Sequence, residues 1–481
     1  MNRSSPLLWL LSLLTLTLAF GADGSAGTPL ENEAHWWRGN LHTHTLWSDG
    51  DSFPEQVAAW YKAHGYNFLV LSEHNIVARG EKWINPEKTV YLRGHGPDTF
   101  RRYLAEYGAD WVETRTVDEA FHRRLYDQPG GREHRPEPGE ISVGDRIVRL
   151  KSLNEYRTRF EATDRFLLVR GEEITDRPRT IHLNGINLIE PIMPQGATAE
   201  TAEDTVRFNL NAILAQAAHF NRPMLGTLNH PNYMWAVSAE DMAAVENLRF
   251  FEVFNGGMDE DHINRHGQHT GADWGDATHP GTERMWDIAL TLRLAAGGHI
   301  PLYGLATDDA HEHTFTDPGH SLPGRGWIMV RAPYLTPNNL VLAMQAGDFY
   351  ASTGVVLNDV RFDGKTLAID IAGAPGATYR TEFIGTRRGY DPATEKLKDN
   401  TGKAIATRYS RDVGAVLAAE SGTRPAYTLH GDELYVRAVI TSSETPDRPR
   451  RDGEFKKAWV QPVVPAGAGV VKPGEGRSFS R

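Results

Sequence analysis

The chain has 481 residues, of which 40% are apolar and 23% charged, a composition that calls for a globular protein of more than one domain. The net charge of −11 argues against broad electrostatic binding of nucleic acid, and none is expected as a partner. There is no cysteine, which excludes disulfides, thiolate metal ligands and a lipid-modified cysteine anchor.

The first predicted element is a targeting segment. Arg3 precedes the apolar run at residues 7–20, and the small-residue stretch GADGSAG follows it. That order is the pattern of a secretory signal peptide, expected over residues 1–22. The run falls short of the roughly 20 apolar residues a spanning helix needs. The mature protein is therefore expected to be exported, periplasmic or extracellular, with no stable membrane anchor.

The next stretch, GNLHTHTLWSDGDSFPEQVAAW, occupies residues 39–60. On a strand, His42 and His44 would point to one face and Asp49 would sit in the following turn. Pro54, with Val57, Ala58, Trp60 and Tyr61, reads as the start of a helix. Taken alone, two strand histidines fit a structural role as well as a metal site. Residues 66–74 read as a strand ending at His74. A long insert, about 75–165, mixes aromatics with arginines. It reads either as a solvated helical excursion or as a lid that helps to bind an anionic substrate.

Further strands are expected over 165–175, ending at Glu172 and Glu173, and over 181–189, beginning near His182. The apolar positions Val206, Leu210, Ile213, Leu214, Ala217 and Ala218 have helical spacing. Residues 223–231 read as a strand ending at His230, and 248–256 as one ending at Glu252 and Asn255. The run MDEDHINRHGQH (258–269) reads as a solvated loop near the pocket. A helix over 284–298 stops at Gly-Gly. Residues 300–311 form a strand ending at Asp308, Asp309 and His311, and 335–352 supply a helix and linker. Of the 20 histidines, only His430 lies beyond residue 330. This is a β/α repeat whose polar residues gather at strand ends, where parallel β/α barrels carry their sites. One such histidine would be structural; so many together predict a metal cluster. Beyond residue 355, alternating segments separated by Gly, Asp and Pro turns read as a small all-β sandwich. Its expected work is packing or partner binding, with the partner unspecified.

The ordered segments LHTHTLWSDG, LSEHN, GEEIT, HLNGINL, LNHPNY and ATDDAH resemble the successive motifs of the PHP (polymerase and histidinol phosphatase) family, in a secreted form with a C-terminal β domain. The resemblance spans about residues 36–350. It implies an α/β fold, a distorted (β/α)7 TIM-like barrel at 35–353, followed by the sandwich at 355–466 and a disordered tail at 467–481. It also implies two or three divalent metal ions and hydrolysis, usually of phosphate esters. Carried over by motif, the ligands are His42, His44, Asp49, His74, Glu173, His182, His230, Asp309 and His311. Glu73 stands where the family often has Asp. Glu172 and Asp308 stand beside the assigned acids as alternatives.

Imidazoles and carboxylates without thiolates suit Zn, Mn or Fe. Two such ions can share a bridging hydroxide and clamp the attacking and leaving oxygens of a phosphate. The expected activity is that of a phosphoesterase on small phosphorylated substrates, monoesters or diesters. Asp49, His230 and Glu252 are the candidate catalytic groups, with Asp308 the other candidate proton donor. Arg79, Arg177 and Arg179 are the candidate phosphate-binding residues. The alternatives are an amidohydrolase or lactonase on the same barrel, and a non-catalytic exported binding protein.

Overall fold

The computed structural model describes residues 34–92, 96–127, 135–257, 279–298, 301–398 and 400–465. The expected signal peptide, the run 258–269 and the expected disordered tail lie outside the described residues. None of the described helices is long and apolar enough to cross a membrane.

β1 (His35–Asn40) leads through the first motif to α1 (Pro54–Ala63) and β2 (Phe68–Leu71). Pro54 presets φ for the first helical turn, and α1 buries Val57, Ala58 and Tyr61. The insert holds β3 (Lys82–Ile84), α2 (Gly96–Tyr107), β4 (Thr114–Thr116), α3 (Glu119–Asp127), β5 (Arg146–Leu150) and α4 (Leu153–Phe160). It contains an antiparallel sheet in the order β3-β5-β4 and a small core of Trp83, Val117, Phe121, Leu125, Ile141 and Ile147. Glu55 of α1 ties it down, accepting hydrogen bonds from Tyr103 Oη and Trp111 Nε1, each at 2.8 Å. The insert is thus a packed subdomain rather than a solvated helical excursion.

The chain continues through β6 (Leu167–Asp176), β7 (Ile181–Ile186), α5 (Ala202–His219), β8 (Leu225–Leu228), α6 (Ala239–Ala244), β9 (Phe250–Asn255), α7 (Thr282–Ala295) and β10 (Tyr303–Thr307). Then come β11 (Trp327–Ala332), α8 (Pro337–Gln345) and β12 (Phe349–Ser352), so the expected linker ends in a strand. The tail supplies β13 (Leu357–Phe362), β14 (Thr366–Ile371), β15 (Tyr379–Arg387), β16 (Thr394–Lys398), β17 (Ala404–Tyr409), β18 (Ala415–Ser421), β19 (Ala426–Thr428), β20 (Glu433–Ser442) and β21 (Lys457–Val463).

One large sheet runs β10-β9-β8-β7-β6-β2-β1-β11-β12-β21-β20-β15-β18. The pairs β1/β2, β2/β6, β8/β9 and β9/β10 are parallel, whereas β7 runs antiparallel to both β6 and β8. The expected closed barrel is not found among the described residues. The free edge of β1 that closure would need is hydrogen-bonded to β11. Beyond the strand ends, the segments that follow β1 and β10 meet at a bridge between Thr43 and Ala310. In the tail, β13-β14-β19 form a second sheet. Leu357, Leu367 and Ile369 of that sheet share an apolar cluster with Phe383, Val436 and Ile440 of the large one.

Candidate metal centre

The site is assembled where the parallel strands stop. β1 ends at Asn40, so His42 and His44 lie just past it rather than side by side on a strand. Asn40 Oδ1 accepts the His42 amide at 2.8 Å and Ser72 Oγ accepts the Thr43 amide at 3.0 Å, which holds this segment extended. His74 follows β2 and is bridged to Glu173 of β6. His182 lies on β7, His230 in the turn after β8, and Asp309 and His311 after β10.

These residues converge. His42 Nε2 lies 3.1 Å from Asp309 Oδ1 and 3.3 Å from Glu173 Oε1. His44 Nε2 lies 3.2 Å from the same Asp309 oxygen. Asp49 reaches His74 Nε2 at 3.2 Å and His311 Nε2 at 3.5 Å. Glu173 is central, with His74 Nδ1 at 2.7 Å, His182 Nδ1 at 3.1 Å and His230 Nε2 at 3.4 Å. The rings of His44 and His311 stack at 4.1 Å. Three overlapping donor sets result: His44–Asp49–His74–His311, His42–His44–Asp309 and His74–Glu173–His182.

The paired acids separate cleanly. On β6, side chains alternate, so Glu173 faces the histidines while Glu172 accepts the Ile192 amide at 2.7 Å. Asp309 reaches the site through its backbone conformation rather than through strand alternation. β10 has ended at Thr307, and Asp309 adopts a left-handed φ of 49°. His230 has a positive φ of 23°. Such backbone costs about 1 kcal/mol or more per residue, so the surrounding structure must impose it. Asp308 turns away and accepts from Tyr61 Oη at 2.8 Å, from Asn40 Nδ2 and from the amides of Gly324, Arg325 and Gly326.

Burial and charge set the protonation of this cluster. Burial opposes ionisation of Asp49, Glu173 and Asp309, but the surrounding histidines outweigh it and hold all three well below the usual carboxylate range. Burial also lowers His42, yet Asp309, Glu252 and Glu173 raise it well above the ordinary value. His44 is pulled down to about 4 by burial and by its neighbour His311. Burial pushes Glu73 up to about 7, although Ser48 and Thr45 hydrogen-bond to it.

The donor atoms fit metal ions. Among the described residues, His42 Nε2, His44 Nε2, Asp49 Oδ1 and Glu173 Oε2 are buried and make no hydrogen bond, although oppositely charged groups lie within 4 Å of each. Buried polar atoms left in that state are costly, and a divalent cation satisfies nitrogen and carboxylate oxygen together. Glu252 supports this arrangement from behind. It lies 2.6 Å from His42 Nδ1, a contact that favours a proton on Nδ1 and would leave Nε2 to a metal ion. It also accepts from the His230 amide at 2.8 Å, Asn255 Nδ2 at 2.8 Å and Thr307 Oγ1 at 2.7 Å. Glu252 and Asp308 are thus both engaged by protein groups around the site.

The chain matches no protein-family model and no curated protein. It is similar to a solved structure from Bacteroides vulgatus ATCC 8482, a two-domain protein described as containing a predicted PHP-like metal-dependent phosphoesterase. That similarity has 12% identity and a TM-score of 0.36, over 90% of this chain and 95% of that one.

The expected phosphate-binding arginines do not join the ligand set. Arg79 pairs with Glu190 at 2.6 Å, and Arg179 donates to the main-chain oxygens of Ala199 and Glu200. Arg177 is exposed on the β6–β7 turn, between the strands that carry Glu173 and His182. Residues that the motif reading passed over also take part. Asn229 Nδ2 donates to Glu173 Oε1 at 2.9 Å, and Asn255 Nδ2 to Asp309 Oδ2 at 3.1 Å. Tyr233 packs its ring against His182 and His230 at 5.9 and 5.1 Å. Asn229 and Tyr233 were visible in LNHPNY, adjacent to the expected ligand; an asparagine at a strand end carries no comparable signal.

Proposed function

We propose that this protein is a metal-dependent hydrolase of phosphate esters that holds two or three divalent ions. The observation that carries this reading is the set of overlapping nitrogen and oxygen donors, several of which make no hydrogen bond among the described residues. Donor sets that share His44 and His74 suit closely spaced ions. Such ions lower the pKa of bound water towards 7 and set positive charge against phosphoryl oxygens. His42, His44, His74, His182, His230 and His311, with Asp49, Glu173 and Asp309, would hold them. Glu252 keeps the His42 proton on Nδ1. Tyr233 stands beside His182 and His230 as an aromatic wall, and exposed Arg177 is the arginine proposed to meet the substrate's phosphate.

The test is hydrolysis by chelator-stripped protein reloaded with Mn²⁺, Zn²⁺ or Fe²⁺. The expected result is metal-restored turnover of p-nitrophenyl phosphate or bis-p-nitrophenyl phosphate. Turnover of amides or lactones alone would make it an amidohydrolase or lactonase. Metal binding with no turnover across the panel would make it a binding protein. The signal-like segment supports export as part of this reading. N-terminal sequencing of the mature protein is then expected to start between residues 22 and 27, and recovery of the intact N-terminus in the membrane fraction would refute it.

A further inference from the structure

We propose that the C-terminal part of the chain completes the metal centre: Arg450 positions Asn255 and, through it, the carboxylate of Asp309. This rests on the metal-centre reading above. Asn255 ends β9 and is 1% exposed. Its amide nitrogen donates to Asp309 Oδ2 at 3.1 Å and to Glu252 Oε2 at 2.8 Å, which uses both of its protons. Its side-chain oxygen accepts the Gly257 amide at 2.8 Å. Holding Oδ2 in this way leaves Asp309 Oδ1 directed at His42 and His44.

The side chain is only as fixed as the backbone beneath it, and two arginines fix that backbone. Arg450 Nη1 donates to the Asn255 carbonyl at 3.2 Å, and Arg325 Nη1 to the Gly256 carbonyl at 2.8 Å. There is no slack at this point: a Cβ on Gly256 would lie 2.8 Å from Arg325 Cβ. Arg450 arrives from the β20–β21 connection, 195 residues away in sequence. It is 4% exposed and lies over the Phe254 ring at 4.2 Å. Glu454 locks it, accepting from Arg450 Nε at 3.0 Å and from its amide at 2.8 Å. A guanidinium is costly to bury, and an apolar side chain would fill the space against Phe254 without that cost. What the guanidinium adds is a directed hydrogen bond to the residue that orients Asp309.

The experiment is a Co²⁺ titration of metal-stripped full-length protein, followed by calorimetry and by the visible cobalt bands. Arg450→Met keeps the packing over Phe254 and removes both the hydrogen bond to Asn255 and the pair with Glu454, so it is read against Glu454→Gln, which breaks the pair alone. It is expected to weaken cobalt affinity roughly 10–100-fold and to alter the bands. Arg450→Lys is expected to recover part of the loss. Asn255→Ala is expected to show the same loss, and the double variant Asn255→Ala/Arg450→Met to be no worse than Asn255→Ala alone. If Arg450→Met does not fold, Arg450→Lys against Asn255→Ala/Arg450→Lys gives the same comparison. Wild-type cobalt affinity in the Arg450 variants, or losses that simply add, would overturn the proposal. Failure of the wild-type protein to bind cobalt would instead overturn the metal-centre reading.

Discussion

Asp308 and Asp309 are neighbours in sequence with opposite surroundings. Asp309 faces His42 and His44 with one oxygen and Asn255 with the other. Asp308 is fully buried among donors from Asn40, Tyr61 and the 324–326 backbone. Asp309→Asn is therefore expected to lose bound metal and nearly all turnover together. Asp308→Asn turns an amide donor towards groups that are already donors. It is expected to cost roughly 2–3 kcal/mol of stability while keeping most of the metal. Metal analysis and urea unfolding of both variants decide it, and the reverse pattern of damage would exchange the two roles. Glu252→Gln removes the acceptor that fixes the His42 proton. It is expected to weaken metal binding roughly 10–100-fold, measured by titration, and unchanged affinity would count against that role. The residues that converge were legible because histidines and acids recurred in order at strand ends. The reason for Asp309 was not, because a left-handed residue after a strand leaves no mark in a two-residue alternation. Asn255 was named at its strand end, but its contacts lie 54 residues away in sequence, at Asp309.

The elements that carry the ligands were readable from apolar runs that stop at a polar residue. β8, β9 and β10 fall inside the predicted segments, β6 runs past the end of its own to Asp176, and α5 buries Val206, Leu210 and Ile213 from the predicted stripe. Strand direction was less legible. β7 is joined to β6 by a short turn, which forces an antiparallel pair, whereas a β/α repeat implies parallel neighbours throughout. β16, β17 and β18 bury none of their residues, so they hold no buried apolar period to read. In the insert, short strands hid behind a charged composition, yet their anchoring is specific. Glu155 opens α4 by accepting the Ser152 amide at 2.8 Å and also pairs with Arg149. Burial pushes its carboxyl up, but Arg149 and Ser152 outweigh this and hold it at about 2. A carboxylate lowered on folding stabilises above its ordinary pKa, and that stability is lost as pH falls towards the folded value. Glu155 is 36% exposed, so solvent screening discounts the pair. Glu155→Gln is expected to cost about 1 kcal/mol at pH 7. Urea unfolding should show the gap from wild type narrowing as pH is lowered from about 4.5 towards 2. A gap that does not change with pH would assign the effect to packing.

At the scale of the whole molecule, the tail is joined to the metal-binding part by more than chain continuity. β21 pairs with β12, and the Gln461 side chain bonds both the amide and the carbonyl of Gly304 in β10, at 2.9 and 2.8 Å. A further link is electrostatic. Asp287 of α7 accepts Arg437 Nε at 2.8 Å and Nη2 at 2.7 Å, and Tyr435 Oη donates to it at 2.8 Å. Both charged side chains are at most 5% exposed. Gly414 presses on the same aspartate so closely that a Cβ there would lie 2.5 Å from Asp287 Cβ. A pair removed from water in this way contributes modestly as a pair, because desolvation offsets attraction, but either charge left alone is strongly destabilising. Arg437→Met is therefore expected to cost about 3–5 kcal/mol, and Asp287→Asn/Arg437→Met to recover much of it. If the tail folded apart from the rest, Arg437→Met would shift one of two thermal transitions. The shared sheet and the buried pair instead predict a single transition that moves as a unit, together with retention of metal. Calorimetry with metal analysis along the melt separates the two cases: a tail transition that moves while the metal-bearing transition stays fixed would show that Asp287 and Arg437 do not couple the two parts.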